Sequence, residues 1–265
     1  MEFCSIASGS SGNCTFIGSG TTSLLIDTGI TAKRITGAMQ DIDRRPEDLN
    51  AILITHEHSD HIQGLGVISR KYHVPIYGTR GTLRAVRGSR SLGSIDPELL
   101  HPISADDPFM VGDIRVQPFA IPHDAAEPVG YRLESGGKAA AVATDMGCYD
   151  DYIISNLQGL DLILIESNHD VNMLEVGPYP WPLKQRILGD RGHLSNETAG
   201  HLLCDILHDG MKEIILGHLS RENNYDALAY ASVCAEINMS QTPYHAEDFD
   251  IRVARRDRPL PVLSL

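Results

Sequence analysis

The feature that most constrains this chain is an apolar run that ends in a cluster of potential metal ligands. Residues 51–54 (AILI) predict a buried strand, and after Thr55 the chain continues as HEHSDH over residues 56–61. Imidazole and carboxylate side chains are the ligands that Zn²⁺ and similar divalent ions prefer in proteins. Alternate residues of an extended segment point the same way, so His56 and His58 can face one ion together. The sequence therefore predicts a metal site directly after this strand.

Five further short apolar runs end at a residue that can bind or support a metal. Their terminal residues are Asp27, His123, Asp145, Glu166 and His218. Strands bring distant parts of a chain side by side, and functional residues collect where strands give way to loops. We therefore expect a metal-dependent hydrolase whose site is assembled from several strand ends.

A carboxylate placed between two cations can bridge them, and Asp145 is the candidate for that position. Asp60 and His61, where the chain turns into the next helix, can be directed at a second ion. Two ions about 3.5–4 Å apart can hold a hydroxide between them and bind both oxygens of a phosphoryl transfer. The alternative, that these histidines are surface or cap residues, is a poor explanation for so dense a cluster after an apolar strand.

Composition places the chain among ordinary globular proteins. Its 265 residues are 42% hydrophobic and 22% charged, and we expect a single domain over residues 1–265. No stretch approaches the roughly 18 apolar residues of a membrane span, no signal peptide is evident, and the five cysteines lack CxxC spacing. We therefore expect a cytoplasmic protein with reduced cysteines and no membrane partner.

The net charge of −13 argues against a general affinity for nucleic acid, because phosphate binding normally requires clustered Lys and Arg. Residues 70–90, however, hold six basic residues and no acid. Arg80, Arg84 and Arg87 would share one face of a helix over residues 79–87. That face could follow the phosphates of a substrate, or it could simply be solvated.

Strand and helix signals alternate along the chain, which favours a mixed α/β layered fold. The apolar spacing predicts helices over residues 59–72, 150–157 and 197–208. The segment 171–192 is predicted to be a surface loop or arm. It contains Lys184 and Arg186 close to Trp181 and so is a second candidate substrate contact, although the tryptophan could merely anchor the loop.

The segment HEHSDH resembles the HxHxDH signature of the metallo-β-lactamase fold, and the later histidines and aspartate follow in the order of its other metal motifs. The resemblance implies an α/β fold, the four-layer αββα sandwich, with two divalent ions, Zn²⁺ or Mn²⁺. It also implies seven metal ligands: His56, His58 and His123 for the first ion, Asp60, His61 and His218 for the second, and Asp145 as the bridge. Asp27 would be a supporting residue that orients a ligand histidine.

Longer strings resemble the YycJ/WalJ group within that fold. They are residues 10–14 (SSGNC), 123–131 (HDAAEPVGY), 166–170 (ESNHD), 179–188 (YPWPLKQRIL) and 192–197 (GHLSNE). Members of the group are described as metal-dependent DNA exonucleases acting from the 5′ end. They are also associated with DNA repair and with a two-component system for cell-wall homeostasis.

We also predict three catalytic residues: Asp60, Glu166 and His193. The last two resemble a Glu–His pair that is proposed to pass a proton to the leaving oxygen in the tRNA 3′-processing endonucleases of the superfamily. The alternative is that Glu166 orients a metal-binding histidine and His193 caps the following helix. His169 could also reach the site or the substrate.

The resulting prediction is a dinuclear metal-dependent hydrolase, a DNA phosphodiesterase working as a 5′-to-3′ exonuclease through a metal-bridging hydroxide. Two alternatives stay open. One is a small-molecule thioesterase or cyclic phosphodiesterase of the same fold, and the other is a regulatory protein linked to cell-wall signalling.

Overall fold

The computed structural model describes residues 1–265, in which strands and helices alternate as the sequence predicts. The strands are β1 (Glu2–Ala7), β2 (Cys14–Gly18), β3 (Ser23–Ile26), β4 (Ala51–Leu53), β5 (Ile76–Thr79), β6 (Leu100–Ile103), β7 (Phe109–Val111), β8 (Ile114–Ala120), β9 (Val129–Ser135), β10 (Lys138–Ala143), β11 (Leu162–Glu166), β12 (Glu213–Gly217), β13 (Asp250–Val253) and β14 (Leu263–Ser264). The α-helices are α1 (Ala32–Asp41), α2 (Ser59–Ile62), α3 (Leu65–Tyr72), α4 (Arg80–Gly88), α5 (Asp151–Leu157), α6 (Val171–Val176), α7 (Trp181–Leu188), α8 (Asn196–Ile206) and α9 (Asp226–Met239).

The strands form two mixed sheets of seven strands each. The first has the order β14-β1-β2-β3-β4-β5-β6, in which β1 to β3 are antiparallel neighbours and β3 to β6 run parallel. In the second, β7 to β9 form an antiparallel meander and β10 to β13 run parallel. Because neighbouring parallel strands end at the same edge of a sheet, the residues that follow β3 and β4 lie close together. The same holds for the residues that follow β10, β11 and β12.

The chain divides into two compact units. The first comprises Met1–Ala120, Ala125–Gly137 and Arg255–Leu265, and the second comprises Ile121–Asp124 and Lys138–Ala254. Each unit has its own buried apolar residues, described below. A single domain over the whole chain stays a prediction.

The core of the first unit lies between its seven-stranded sheet and helices α1 and α3. Ile52 and Ile76 from the sheet, Ile35 and Met39 from α1, and Ile68 from α3 are all inaccessible to solvent and belong to one cluster. Full burial of one such side chain contributes about 1.5–3 kcal/mol. This packing fixes the edge from which the histidine segment emerges.

The second unit is built on the parallel strands β10, β11 and β12, whose interior residues are almost wholly buried. Such strands read as continuous apolar runs because both faces are covered. Leu202 and Leu203 of α8 and Val233 and Ile237 of α9 are inaccessible as well. These runs are the ones that the sequence places before Asp145, Glu166 and His218.

The helix predictions are confirmed except in one segment. Helices α4, α5 and α8 lie where the spacing predicts them, and the predicted helix over residues 59–72 is divided near Gly64 into α2 and α3. The interpretation of residues 171–192 as a loop is wrong, because α6 and α7 lie there, although Trp181 is exposed as expected for a surface segment. Leu174 and Ile187 are buried, and Pro182 occupies the first turn of α7, where a proline needs no hydrogen-bond partner.

None of these helices is both long enough and apolar enough to cross a membrane.

Candidate metal centre

The histidine segment of the first unit gathers three imidazoles after β4. His56 and His61 are inaccessible, and His58 is the N-cap residue that directly precedes α2. The His56 ring centroid lies 4.6 Å from that of His58 and 4.1 Å from that of His61. The Asp60 carboxylate is 3.6 Å from His61 Nε2. The strand therefore brings three imidazoles and one carboxylate to one place.

Asp27, directly after β3, fixes the orientation of His61. Its Oδ2 accepts a hydrogen bond from His61 Nδ1 at 2.7 Å, and Thr55 binds the same carboxylate through its hydroxyl at 2.8 Å and its backbone N–H at 2.9 Å. A proton held on Nδ1 leaves Nε2 as the nitrogen with a lone pair for a metal. This is the contact that the predicted supporting role of Asp27 requires.

Asn13 also contacts this segment, and the sequence did not single out its side chain. Its Nδ2 lies 3.1 Å from His61 Nε2, and its backbone N–H donates to Asp60 O at 2.8 Å. Gly29 allows the close approach, because a Cβ there would lie 1.6 Å from Asp60 O. Residues 10–14 were singled out in the sequence only as a string that resembles the YycJ/WalJ group. No local pattern links Asn13 to a histidine 48 residues away.

In the second unit, Glu166 at the end of β11 holds two histidines. Its Oε1 accepts from His218 Nδ1 at 2.7 Å and from His193 Nδ1 at 2.8 Å, while Oε2 accepts from the backbone N–H groups of Met146 and Leu194 at 2.9 Å and 3.1 Å. Burial by itself raises the pKa of the Glu166 carboxyl. The charges of His193 and His218 and their hydrogen bonds outweigh burial, and they hold this pKa below its ordinary value. Glu166 is therefore an ionised acceptor.

Asp145, after β10, completes the cluster of the second unit. Its Oδ1 lies 3.4 Å from His218 Nδ1, 3.8 Å from His193 Nδ1 and 3.8 Å from His123 Nε2. His123 directs its Nδ1 at Gly192 O, 3.2 Å away, which makes Nε2 the nitrogen suited to a metal. Asp145, Glu166, His193 and His218 offer ligand atoms within 4.8 Å of one another. Because Glu166 already holds Nδ1 of both histidines, the groups of this set with atoms suited to a divalent ion are the Asp145 carboxylate and His218 Nε2.

Three of the predicted site residues have a left-handed backbone. The φ angles are 59° for Asp27, 63° for Asp145 and 54° for His218. A residue other than glycine costs of order 1–2 kcal/mol in this conformation, and such strain collects at functional sites. Each of these residues lies where a strand gives way to a loop, so the turn that aims its side chain is retained despite that cost.

His169 is buried after β11, and its ring contacts Asn168 through Nδ1 at 3.4 Å. Its Nε2 has no hydrogen-bond partner in the chain. Burial lowers the pKa of His169 to about 4, with Glu166 opposing the shift, so the ring is neutral near pH 7. The expectation that it reaches the metal site or the substrate stays a prediction.

The five predicted substrate contacts fall into two groups. Arg80, Arg84 and Arg87 are exposed on α4 and line one cavity of about 370 Å³. Lys184 is buried instead, and its Nζ donates to the Glu175 carbonyl at 2.7 Å. Arg186 forms two hydrogen bonds with Asp124, at 2.5 Å and 2.9 Å. A substrate would have to compete with these contacts to use Lys184 or Arg186.

Comparison with known proteins agrees with this geometry. The profile described as "Beta-lactamase superfamily domain" matches residues 22–218. The chain is 42% identical over 237 residues to exodeoxyribonuclease WalJ of Streptococcus pneumoniae, which covers 89% of this chain and 88% of that protein. It is 40% identical over 233 residues to exodeoxyribonuclease YycJ of Bacillus anthracis, covering 88% of each.

The fold is also found among solved structures. Zn²⁺-bound PqqB from Methylobacterium extorquens matches with a TM-score of 0.72 at 18% identity, over 98% of this chain and 99% of that chain. At that identity the likeness concerns the fold alone, and it confirms the predicted metallo-β-lactamase α/β sandwich. From the profile match and the two bacterial relatives, the chain belongs to the β-lactamase superfamily and is a homologue of the WalJ and YycJ exodeoxyribonucleases.

Proposed function

We propose that this protein is a metal-dependent DNA exonuclease that degrades DNA from the 5′ end. The observation that carries the proposal is the repeated carboxylate–histidine contact, Asp27 with His61 and Glu166 with His218, each at 2.7 Å. A second partner that fixes the tautomer is typical of metal-binding histidines and uncommon for histidines that only pack. The identity to two exodeoxyribonucleases over nearly the whole chain supports DNA as the substrate.

The proposed ligand set is the one that the resemblance to the metallo-β-lactamase fold implies. The first ion would be held by His56, His58 and His123, and the second by Asp60, His61 and His218, with Asp145 between them. When bound, such ions supply an activated water and neutralise charge on the phosphate. The histidines suit Zn²⁺ and the carboxylates also admit Mn²⁺, so both ions belong in the assay.

The chain's own residues supply orientation and a proton path. Glu166 holds His193 by Nδ1, and 14% of the His193 side chain is exposed whereas Glu166 is fully buried. His193 Nε2 is therefore the atom proposed to give a proton to the leaving 3′ oxygen as the P–O bond breaks. An alkoxide is a poor leaving group, and protonation by a positioned side chain typically contributes 10²–10⁴-fold. The added water supplies the hydroxyl that stays on phosphorus.

The test is digestion of DNA duplexes labelled at the 5′ or the 3′ end by purified protein with Mn²⁺ or Zn²⁺. We expect stepwise loss from the 5′ end, abolished by EDTA and by His61→Ala. His201→Ala is the matched control, because His201 is an exposed histidine that contacts Glu236 and no predicted ligand.

Two results would redirect the proposal. Digestion from the 3′ end would contradict the proposed 5′-to-3′ polarity but would still identify the protein as an exonuclease. If metal is bound and no DNA is cleaved, the substrate is a smaller ester or a cyclic phosphate, and the exonuclease proposal fails.

A further inference from the structure

A groove beside α4 combines three exposed arginines with no partner in the chain. Arg80, Arg84 and Arg87 take part in no ion pair, whereas Arg44 and Arg115 bind Glu2 and Glu134. Their spacing of four and three residues places them on one face of the helix. At about 1.5 Å of rise per residue they span about 10 Å along the helix, so successive phosphates of one strand can contact more than one of them.

The rest of the groove is apolar. Its lining is completed by Leu83, Pro97, Leu100 and Pro102, around a volume of about 370 Å³. Leu100 and Pro102 alternate along β6, so both side chains face the same side of the sheet. Apolar side chains make no favourable contact with inorganic phosphate. The lining therefore suits a ligand that has an uncharged, flat portion beside its charges.

We infer that the α4 groove binds an unpaired DNA strand, with its phosphates on the arginines and its bases against the apolar lining. In a duplex the bases are stacked inside, so the duplex presents mainly its phosphates and sugars to a protein. An unpaired strand exposes both the charged backbone and the faces of its bases. This inference rests on the proposed function and adds where the substrate is held and in which form.

The groove is joined to the metal-binding segment within the first unit. Glu57, which lies between two predicted ligand histidines, accepts from the Ala126 backbone N–H at 2.8 Å. The next residue, Glu127, accepts from Thr79 Oγ1 through its carbonyl at 2.7 Å and from the Gly81 N–H through its carboxylate at 2.7 Å. The start of α4 is therefore fixed to the same loop as the histidine segment, so a strand lying along α4 leads toward the predicted ligands.

The experiment measures binding without catalysis. A fluorescent single strand of about 12 nucleotides is titrated with protein in EDTA, and anisotropy gives Kd over a range of salt concentrations. We expect Arg84→Gln/Arg87→Gln to raise Kd about tenfold and to reduce the slope of log Kd against log salt by about 1.4, or 0.7 for each lost phosphate contact. Thermal unfolding of each variant verifies that the fold is retained.

Arg90→Gln is the matched control, since Arg90 is an exposed arginine of the same basic stretch that does not line the groove. It should leave Kd within about twofold of the wild-type value. A loss of affinity per charge removed that is as large in Arg90→Gln as in the double variant would show only general charge attraction and would overturn the inference.

Three competing ligands test the assignment of the strand. A duplex and an abasic strand of equal length should both bind more weakly than the single strand, because neither offers free bases to Leu83 and Leu100. Equal affinity for the abasic strand would overturn the role of the apolar lining. Equal competition by polyglutamate would assign the groove to an acidic protein instead.

The outcome separates the two proposals. If the protein cleaves DNA but binding does not depend on Arg84 and Arg87, the exonuclease proposal is supported and the proposal that the groove binds DNA fails. If the protein binds the single strand specifically in EDTA but cleaves no DNA when Mn²⁺ or Zn²⁺ is present, the groove proposal is supported and the exonuclease proposal fails.

Discussion

In each of the two units a buried carboxylate orients a histidine, but the two carboxylates bind different numbers of histidines. In the first, Asp27 binds one histidine, His61, and gives its other contacts to Thr55. In the second, Glu166 binds two histidines, His218 and His193, with a single oxygen. Both carboxylates follow or end parallel strands, both are buried, and both leave Nε2 of the bound histidine for a metal.

The difference indicates that the two carboxylates have different roles. The Asp27 contacts are all with the buried residues Thr55 and His61, so we expect its role to be orientation. One of the two Glu166 partners, His193, is partly exposed, so the same carboxylate also holds a group that can meet the substrate. If this is right, disruption of the second unit should damage two functions at once and disruption of the first only one.

The largest effect is expected for Glu166→Gln. The amide keeps the shape but removes the charge, and its one oxygen can accept from the backbone N–H groups of Met146 and Leu194 or from the two histidines, but not from both pairs. Removing one partner of a buried charged network costs about 3–5 kcal/mol. Loss of ligand orientation together with loss of proton transfer predicts a fall in kcat/KM of at least about 10³-fold.

Urea unfolding and the rate of DNA digestion measure these two losses separately. A Glu166→Gln protein with less than a tenfold loss of activity would show that neither histidine depends on this carboxylate. The comparison between the two units would then fail.

The next largest effect is expected for His193→Ala. Loss of a proton donor should lower kcat about 10²–10³-fold while metal content stays the same. A phosphodiester with a p-nitrophenolate leaving group needs no proton, so on that substrate the variant should be far less impaired. An equal loss on both substrates would show that His193 has only a structural role.

A smaller effect, on metal affinity alone, is expected for Asp27→Asn. Changes to the second partner of a metal-binding histidine typically cost 10–100-fold in affinity. Excess metal should therefore restore most of the activity of Asp27→Asn, whereas it should not restore that of Glu166→Gln. Metal titration followed by activity measures this, and Asp41→Asn, an exposed aspartate of the same unit, serves as the control.

The residues that could be predicted from the sequence are those with a local signal. An apolar run followed by a histidine or a carboxylate marks a strand end, and the structure has strands at or next to these positions, as for Asp27 after β3 and His218 after β12. The cluster HEHSDH is local as well. The contact between Glu166 and His193 was expected only through resemblance, because the two residues are 27 positions apart in the sequence.

Contacts set by tertiary packing could not be predicted. Asn13 reaches His61 because Gly29 lets two loops approach, and no spacing rule encodes that approach. The prolines around Trp181 favoured a loop, yet Pro182 fits the first turn of α7. Lys184 looked like a solvent-facing cation, but its stem is buried and its ammonium group is held by the Glu175 carbonyl.

The smallest predicted effect concerns the amino end of strand β11, whose carboxyl end carries Glu166. Asp161, just before this strand, accepts from Lys138 Nζ at 2.6 Å and from the Ala139 N–H at 2.9 Å. Burial raises the pKa of the Asp161 carboxyl, but these hydrogen bonds and the Lys138 charge outweigh burial and lower it. The pair is partly exposed, so Asp161→Asn should cost under about 1 kcal/mol at pH 7.

The pH dependence of that cost identifies its origin. The carboxyl has a lower pKa in the folded chain than its ordinary value of about 3.9, so its stabilisation is fully present above that value and is lost as the pH falls through the folded pKa. Urea unfolding of wild type and Asp161→Asn should therefore show a difference at pH 7 that shrinks below about pH 4. A difference that persists at low pH would mean that Asp161 acts through packing, and that only Glu166, the fully buried carboxylate of the two, stabilises through its charge.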